Sequence, residues 1–570
     1  MRLENTVPEI AGGSTSLVVA VHGWTASSST MQHVRSAVRD AMPNADLLFP
    51  DYPAGLFSSA DPIEITEALV RCIGDAVKAR ETRGARYEAI VLIGHSLGAL
   101  LVRKAYVFAR GENQDHSGYL RGAPQAWGAL VSRIILLAGT NRGWELRQKA
   151  RDLSRPKWLA FNMCSQLWHW FRLARLINGA REGAPFVANL RIQWINLLRD
   201  RSLSPPVPMT VQLLGTVDDI VDERDNVDIQ CGASFVYRSV PDTGHANVID
   251  FSGAAGAVRK QIFLNALLTD AAQIESDMLV DFSSEPDVAH VVFVMHGIRD
   301  YGNWTQRLAP VIYETAERTS VNVRVVTSGY GYFPIAGFIL QPERQKNVRW
   351  FMDQYTEALA KYPQAAMSFV GHSNGTYLLA SALARYPACA FERAVFAGSV
   401  VNRNFPWSKH INESRLTAIQ NFVASADLVV AIFPAIFERL RKSKSDLGSA
   451  GHTGFADRDP PVYEVTYMRG GHGAAVVPEN FETISRFVLG DDAAAPTPPL
   501  LTQGQASPAV WAGKFCMVFA FAAIAFALMP MWAVPLGSHF ALFDWRYTWN
   551  SLSALTAGWL LTVYFVCRWI

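Results

Sequence analysis

Two serines sit in the same five-residue frame, Gly94-His95-Ser96-Leu97-Gly98 and Gly371-His372-Ser373-Asn374-Gly375. Glycines two positions either side suit a sharp strand-to-helix turn, where the hydroxyl stands exposed and neighbouring side chains must be minimal. Both copies have the flanks that such a turn needs. An apolar run, IVLI or MSFV, precedes each serine, and a helical apolar pattern, ALLVRKAYVF or TYLLASALA, follows it. The chemistry this points to is nucleophilic attack. A serine hydroxyl is weak at neutral pH until a histidine takes its proton and a buried carboxylate fixes that histidine's tautomer. Each serine therefore requires an acid and a histidine from elsewhere in its own half.

The elements that would position these groups occur twice. LVVAVHGW (17–24) recurs as VVFVMHGI (291–298), and AIVLIGHSLGALLVRKAY (89–106) is answered by MSFVGHSNGTYLLASAL (367–383). Val- and Ile-rich runs alternating with helical patterns read as parallel strands covered by helices on both faces. At 570 residues the chain is too long for one core. The expected organisation is an N-terminal segment (1–15), an α/β domain over 16–268, a linker over 269–287 and a second α/β domain over 288–490. A Pro/Ala-rich linker (491–508) and a C-terminal apolar region (509–570) follow. An insertion at about 143–208, carrying Trp144, Trp158, Trp168, Trp170 and Trp194 among Arg and Leu, reads as a helical cap. It either meets a bilayer surface or packs on its own core.

With GHSLGALLVRKAY and IILLAGTNRGW in the first half, and HSNG and AGSVVN in the second, both halves resemble α/β-hydrolases. The first resembles the lipase branch that includes GPI-inositol deacylase-like esterases. The resemblance implies a chain order of serine, acid, histidine, with the acid just after a strand. VQLLGTVDDIVD then nominates Asp218, with Asp219 and Asp222 as alternatives, and NFVASADLVV nominates Asp427. DTGHANV and RGGHGAAV supply His245 and His472. The implied triads are Ser96, Asp218, His245 and Ser373, Asp427, His472. The backbone amides of Leu97 with Trp24, and of Asn374 with Ile298, would hold the oxyanion. His22 and His296 read as structural, and His169 and His410 belong to no constellation. The implied activity is hydrolysis of a carboxylic ester, with a lipid ester as the candidate substrate, through an acyl-enzyme. A thioesterase, amidase or transacylase would use the same triad. The reading from another class is a membrane-tethered interaction protein with one or both cores inactive.

Composition narrows the partners. Fifty-two basic and 50 acidic residues leave a net charge of +2, too little to favour nucleic acid. Six cysteines lack metal-site spacing, so neither a zinc centre nor a disulfide framework is expected, and the chemistry needs no cofactor. The N-terminus shows no basic start and apolar run of a secretory signal. Two uncharged stretches, Phe515–Leu536 and Tyr547–Cys567, read as a transmembrane hairpin. Lys514 and Arg568 flank it, which would place both hydrolase domains on the cytoplasmic side. The basic run ERLRKSKS (438–445) reads as a solvated face rather than a lipid-headgroup patch.

Overall fold

In the computed structural model the repeated apolar runs become parallel strands. The structure describes residues 1–13, 15–115, 123–144, 174–217, 235–270, 273–274, 284–298, 303–327, 329–331, 333–441, 446–459, 461–491, 511, 514–539 and 549–569. These form two compact units. One comprises residues 1–285, 349–363 and 386–388, and the other comprises 286–348, 364–385 and 389–570.

The first sheet contains β1 (Ser16–Val21), β2 (Asp46–Leu48), β3 (Ala89–His95), β4 (Val131–Leu137), β5 (Met209–Gly215) and β6 (Phe235–Val240). Its order is β2-β1-β3-β4-β5-β6, parallel throughout. The second contains β7 (His290–Met295), β8 (Val323–Val326), β9 (Ala366–His372), β10 (Phe391–Ala397), β11 (Leu416–Ala424) and β12 (Val462–Met468). Its order, β8-β7-β9-β10-β11-β12, repeats the first strand for strand. The sequence repeat is thus a repeat of topology.

Both faces of each sheet are covered, which is why the strands read as unbroken apolar runs rather than alternating ones. Leu17, Val19 and Val21 face a core with Ile65, Leu69 and Ile73 of α2 (Pro62–Thr82) and Leu100 and Leu101 of α3 (Leu97–Ala109). Val18 and Ala20 face the opposite core with Val34 and Val38 of α1 (Gln32–Ala41) and Phe263 of helix Gly253–Leu268. In the second unit Val292 and Val294 pack with Leu308 and Ile312 of helix Asn303–Arg318 and with Ile484 and Phe487 of helix Pro478–Val488. Local signals start α2: Asp61 caps it by accepting from the Ile63 amide at 2.8 Å, and Pro62 takes the first turn, where no amide is needed.

Part of the insertion is core. Helix Pro185–Arg199 buries Trp194, 1% exposed, beside Tyr106 and beneath the Arg103 guanidinium. Trp158, Trp168 and Trp170 lie outside the described residues.

The C-terminal region corrects the expected hairpin. Among the described residues no helix is long and apolar enough to cross a membrane. The first uncharged stretch is split into helices Cys516–Ala527 and Met529–His539. The break at Leu528 precedes Pro530, and Pro535 lies inside the second piece, because proline removes a backbone donor and crowds the preceding turn. Helix Trp549–Trp569 has 21 residues, but Asn550, Ser551, Ser553, Thr556, Thr562 and Arg568 dilute its apolar character. The orientation inferred from Lys514 and Arg568 loses its basis.

His410, on helix Trp407–Asn412, should make the stability of the second unit pH-dependent. It is buried against Phe405, and its Nδ1 accepts from Arg415 at 3.2 Å. Burial, aided by the charges of Arg415 and Lys409, pulls its pKa down to about 4. The ring is neutral in the fold yet protonates near its ordinary value of 6.5 once unfolded. Its contribution is therefore complete above pH 6.5 and is lost as pH falls towards 4, by about 3 kcal/mol. Calorimetry from pH 7 to 4.5 should show the melting temperature falling more steeply in the native chain than in His410→Gln. Equal slopes would refute the assignment.

Candidate active site

Each elbow is built by the end of a central strand. Ser96 follows β3 with φ of 53° and caps α3, and Ser373 follows β9 with φ of 54° and precedes helix Asn374–Arg385. This left-handed backbone is strained for serine and is held by the strand beside it. The Ser96 amide donates to the Leu137 carbonyl at 2.9 Å, and the Ser373 amide to Ala397 at 3.0 Å. The elbow glycines answer to close approach: a Cβ at Gly94 would come within 2.6 Å of Ala99 backbone, and one at Gly371 within 2.9 Å of Gly375.

In the first unit His245 Nε2 lies 2.8 Å from Ser96 Oγ. His245 stands on the loop after β6 and is 8% exposed. Asp218, Asp219 and Asp222 lie outside the described residues. In the second unit the neighbouring link of the same chain is visible. His472 Nδ1 donates to Asp427 Oδ2 at 2.9 Å, which leaves Nε2 as the basic nitrogen. Asp427 is fully buried, and its other oxygen accepts from the Val430 amide at 3.0 Å. Ser373 is 2% exposed, and among the described residues no hydrogen bond joins its hydroxyl to His472.

The oxyanion candidates flank the serines. Leu97 is the first residue of α3, and Asn374 the first of its own helix, so both amides lie where a helix N-terminus favours negative charge. Trp24 and Ile298 follow the histidine-glycine pairs at the ends of β1 and β7. A Cβ at Gly23 would come within 2.9 Å of Ser96 Cβ, and one at Gly297 within 2.6 Å of Ser373 Cβ, so these loops press on the two serines.

Two further histidines take part that the motif reading passed over. His95 Nε2 donates to the His245 carbonyl at 3.1 Å, and His372 Nε2 donates to the His472 carbonyl at 3.1 Å. Each elbow thereby ties down the loop that carries its own histidine. The signal was present as a histidine before both serines. His22 and His296 play their expected backbone role: each Nδ1 donates to the next residue's carbonyl, Gly23 or Gly297, at 2.9 Å. Burial lowers the pKa of His22, against the opposing pull of the Gly23 bond and of Asp51.

Ser96 and His245 open on a cavity of about 820 Å³, near the upper end for small-molecule sites. Trp24, Leu97, Trp144, Ile177 and Ile249 give it apolar walls, while Arg181, His33 and Asp250 supply polar points. The wall beyond β4 is latched by backbone. Trp144 donates to Ala180 and accepts from Glu182, both at 3.1 Å, and its indole donates to Ile177 at 2.8 Å. No cluster of His, Cys, Asp and Glu able to hold a metal occurs among the described residues.

Residues 13–122 match the family described as "Putative serine esterase (DUF676)". The matched stretch contains the histidine-glycine loop and the Ser96 turn of the first unit. No curated protein matches the sequence. Among solved structures it is similar to phospholipase PlaB from Legionella pneumophila, at 15% identity and a TM-score of 0.30, covering 46% of this chain and 59% of that one. It thus spans under two thirds of that relative. It is also similar to carboxyl esterase 2 from Tuber melanosporum, at 14% identity and a TM-score of 0.30, over 44% of this chain and 77% of that one. An α/β-hydrolase superfamily protein from Enterococcus faecalis matches at 12% identity and a TM-score of 0.30, over 45% and 92%. TM-scores this low add nothing to the geometry described above.

Proposed function

We propose that the chain hydrolyses carboxylic esters through two Ser-His-Asp triads, Ser96, Asp218, His245 and Ser373, Asp427, His472, each by way of an acyl-enzyme. The observation that carries this reading is the 2.8 Å contact of His245 Nε2 with Ser96 Oγ at the mouth of a largely apolar cavity. His245 takes the hydroxyl proton as Ser96 attacks the ester carbonyl, and returns it to the departing alcohol. The amides of Leu97 and Trp24 receive the developing oxyanion, and water then releases the acid. The second site follows the same course with His472 held by Asp427, and Asn374 and Ile298 as donors. The apolar walls favour an ester with a sizeable hydrocarbon part.

A fluorophosphonate probe tests this. It should label both serines, with one site lost in Ser96→Ala and the other in Ser373→Ala. Absence of label from both would leave the alternative, a binding protein on an inactive hydrolase scaffold.

The C-terminal helices support contact with a lipid surface. Phe515, Val518, Phe521, Ile524, Phe526 and Trp532 are all exposed on Cys516–Ala527 and its flanks. Exposed large apolar side chains gathered on one short region of chain are a feature of interaction sites. Co-sedimentation with phosphatidylcholine vesicles should fall several-fold in the Phe521→Asp, Ile524→Asp double variant. Undiminished binding would remove these helices from the account.

A further inference from the structure

We propose that Tyr52 and Tyr330 are positioning residues for the oxyanion loops, each acting through the histidine that precedes the loop glycine. The inference rests on the esterase reading above and adds to it a pair of residues outside any triad.

The two tyrosines hold the same place in the two sheets. Val19 pairs with Leu48 across β1 and β2, and Phe293 with Val326 across β7 and β8. Counting three residues on from Val19 and Phe293 reaches His22 and His296. Counting four on from Leu48 and Val326 reaches Tyr52 and Tyr330. The local sequences, DYPAG and GYGYF, share little besides the tyrosine. The contacts nevertheless recur. Tyr52 stacks on His22 at 4.3 Å between ring centroids, and its hydroxyl donates to the His22 carbonyl at 2.9 Å. Tyr330 lies 4.6 Å from the His296 ring and donates to the His296 carbonyl at 2.7 Å.

The route to the reacting centre runs through one peptide plane. His22 Nδ1 holds the Gly23 carbonyl, and His296 Nδ1 holds that of Gly297. In a planar trans peptide the carbonyl and the following N–H point in opposite directions. Fixing the Gly23 carbonyl therefore aims the Trp24 amide, and fixing Gly297 aims that of Ile298. These are the loop donors of the oxyanion hole. The tyrosine clamps the histidine at its ring and at its carbonyl. The same carbonyl abuts the elbow, since a Cβ at Gly98 would meet His22 O at 2.6 Å, and one at Gly375 would meet His296 O at 3.1 Å. Burial pushes the Tyr52 phenol far above its ordinary range, so it remains a donor at any working pH.

The halves differ on the far side of the ring. Asp51 lies 3.2 Å from His22 Nε2 and is anchored by the Ser28 amide and hydroxyl at 2.5 and 2.7 Å. Gly329 takes the equivalent register position, where a Cβ would meet His296 Nε2 at 2.6 Å. The tyrosine contact is common to both units, whereas among the described residues the carboxylate pairs with the ring in the first unit alone, which places the shared positioning role on tyrosine.

The test uses the full chain carrying Ser373→Ala, so that only the first site turns over. Tyr52→Phe keeps the ring and removes the hydroxyl. It should lower kcat for a p-nitrophenyl ester by about 10- to 100-fold with KM within about threefold, because the loss falls on transition-state stabilisation. Binding of a trifluoromethyl ketone, which forms a tetrahedral adduct at serine, should weaken by the same factor. Tyr52→Ala, which also removes the stack, should lose more. Wild-type kcat and ketone affinity in Tyr52→Phe would overturn the inference, as would equal loss in kcat and in the titrated fraction of active sites, the mark of partial unfolding. If the parent chain neither labels with fluorophosphonate nor turns over ester, the esterase reading itself fails. Labelling and turnover in the parent with an unaffected Tyr52→Phe variant removes the tyrosine role alone.

Discussion

Ser96→Ala, made in a chain already carrying Ser373→Ala, should lower ester turnover by about 10,000-fold or more while leaving the melting temperature unchanged. Alanine keeps the β-carbon, so the elbow and its hydrogen bond to Leu137 are preserved. Only the oxygen 2.8 Å from His245 Nε2 disappears. What remains is the contribution of oxyanion donors and cavity, which act on attacking water alone. Burst-phase release of p-nitrophenol reports the acyl-enzyme, and the variant should show no burst. Turnover surviving in the double variant would place the nucleophile elsewhere.

The second large effect is expected at Gly98. A Cβ there would stand 2.2 Å from the Val21 carbonyl oxygen and 2.6 Å from that of His22. Neither is the end of a flexible side chain, so β1 or α3 must shift. Gly98→Ala should cost about 3 kcal/mol and lower the melting temperature by about 6 to 12 °C. The shift acts on the histidine-glycine loop and on the Leu97 amide together. The folded fraction should therefore lose a further ~100-fold in kcat/KM. Calorimetry and ester hydrolysis on one preparation separate the two losses. Near-native stability would mean that the elbow does not press on β1 as described.

These effects trace back to features of unequal visibility in the sequence. The strands were legible because both faces of each sheet are covered, which leaves runs such as LVVAV and VVFVM without polar interruption. The strand-turn-helix setting of Ser96 and Ser373 followed from the same runs. Loop residues were nominated through resemblance, and the structure brings His245 to Ser96 and His472 to Asp427, while Asp218 lies outside the described residues. Tyr52 and Tyr330 escaped notice because their equivalence exists only across strand register, and linear comparison of DYPAG with GYGYF does not reveal it. His95 and His372 were visible but unread, since the elbow argument concerns glycine and serine. The C-terminal expectation failed because absence of charge was taken as continuity of helix. Pro530 and Pro535 interrupt what composition alone treats as a single span. Trp194 shows the converse, a residue grouped with a cap that belongs to the core beside Tyr106.

The positive φ at Ser96 and Ser373 places backbone strain at the same position in each half. Glycine would relax either turn, a gain of about 1 kcal/mol that is open to any lineage indifferent to the hydroxyl. Both copies nonetheless carry serine. The strain sits at the two positions where the proposed nucleophiles stand, so Ser96→Gly or Ser373→Gly would exchange the hydroxyl for a more relaxed turn.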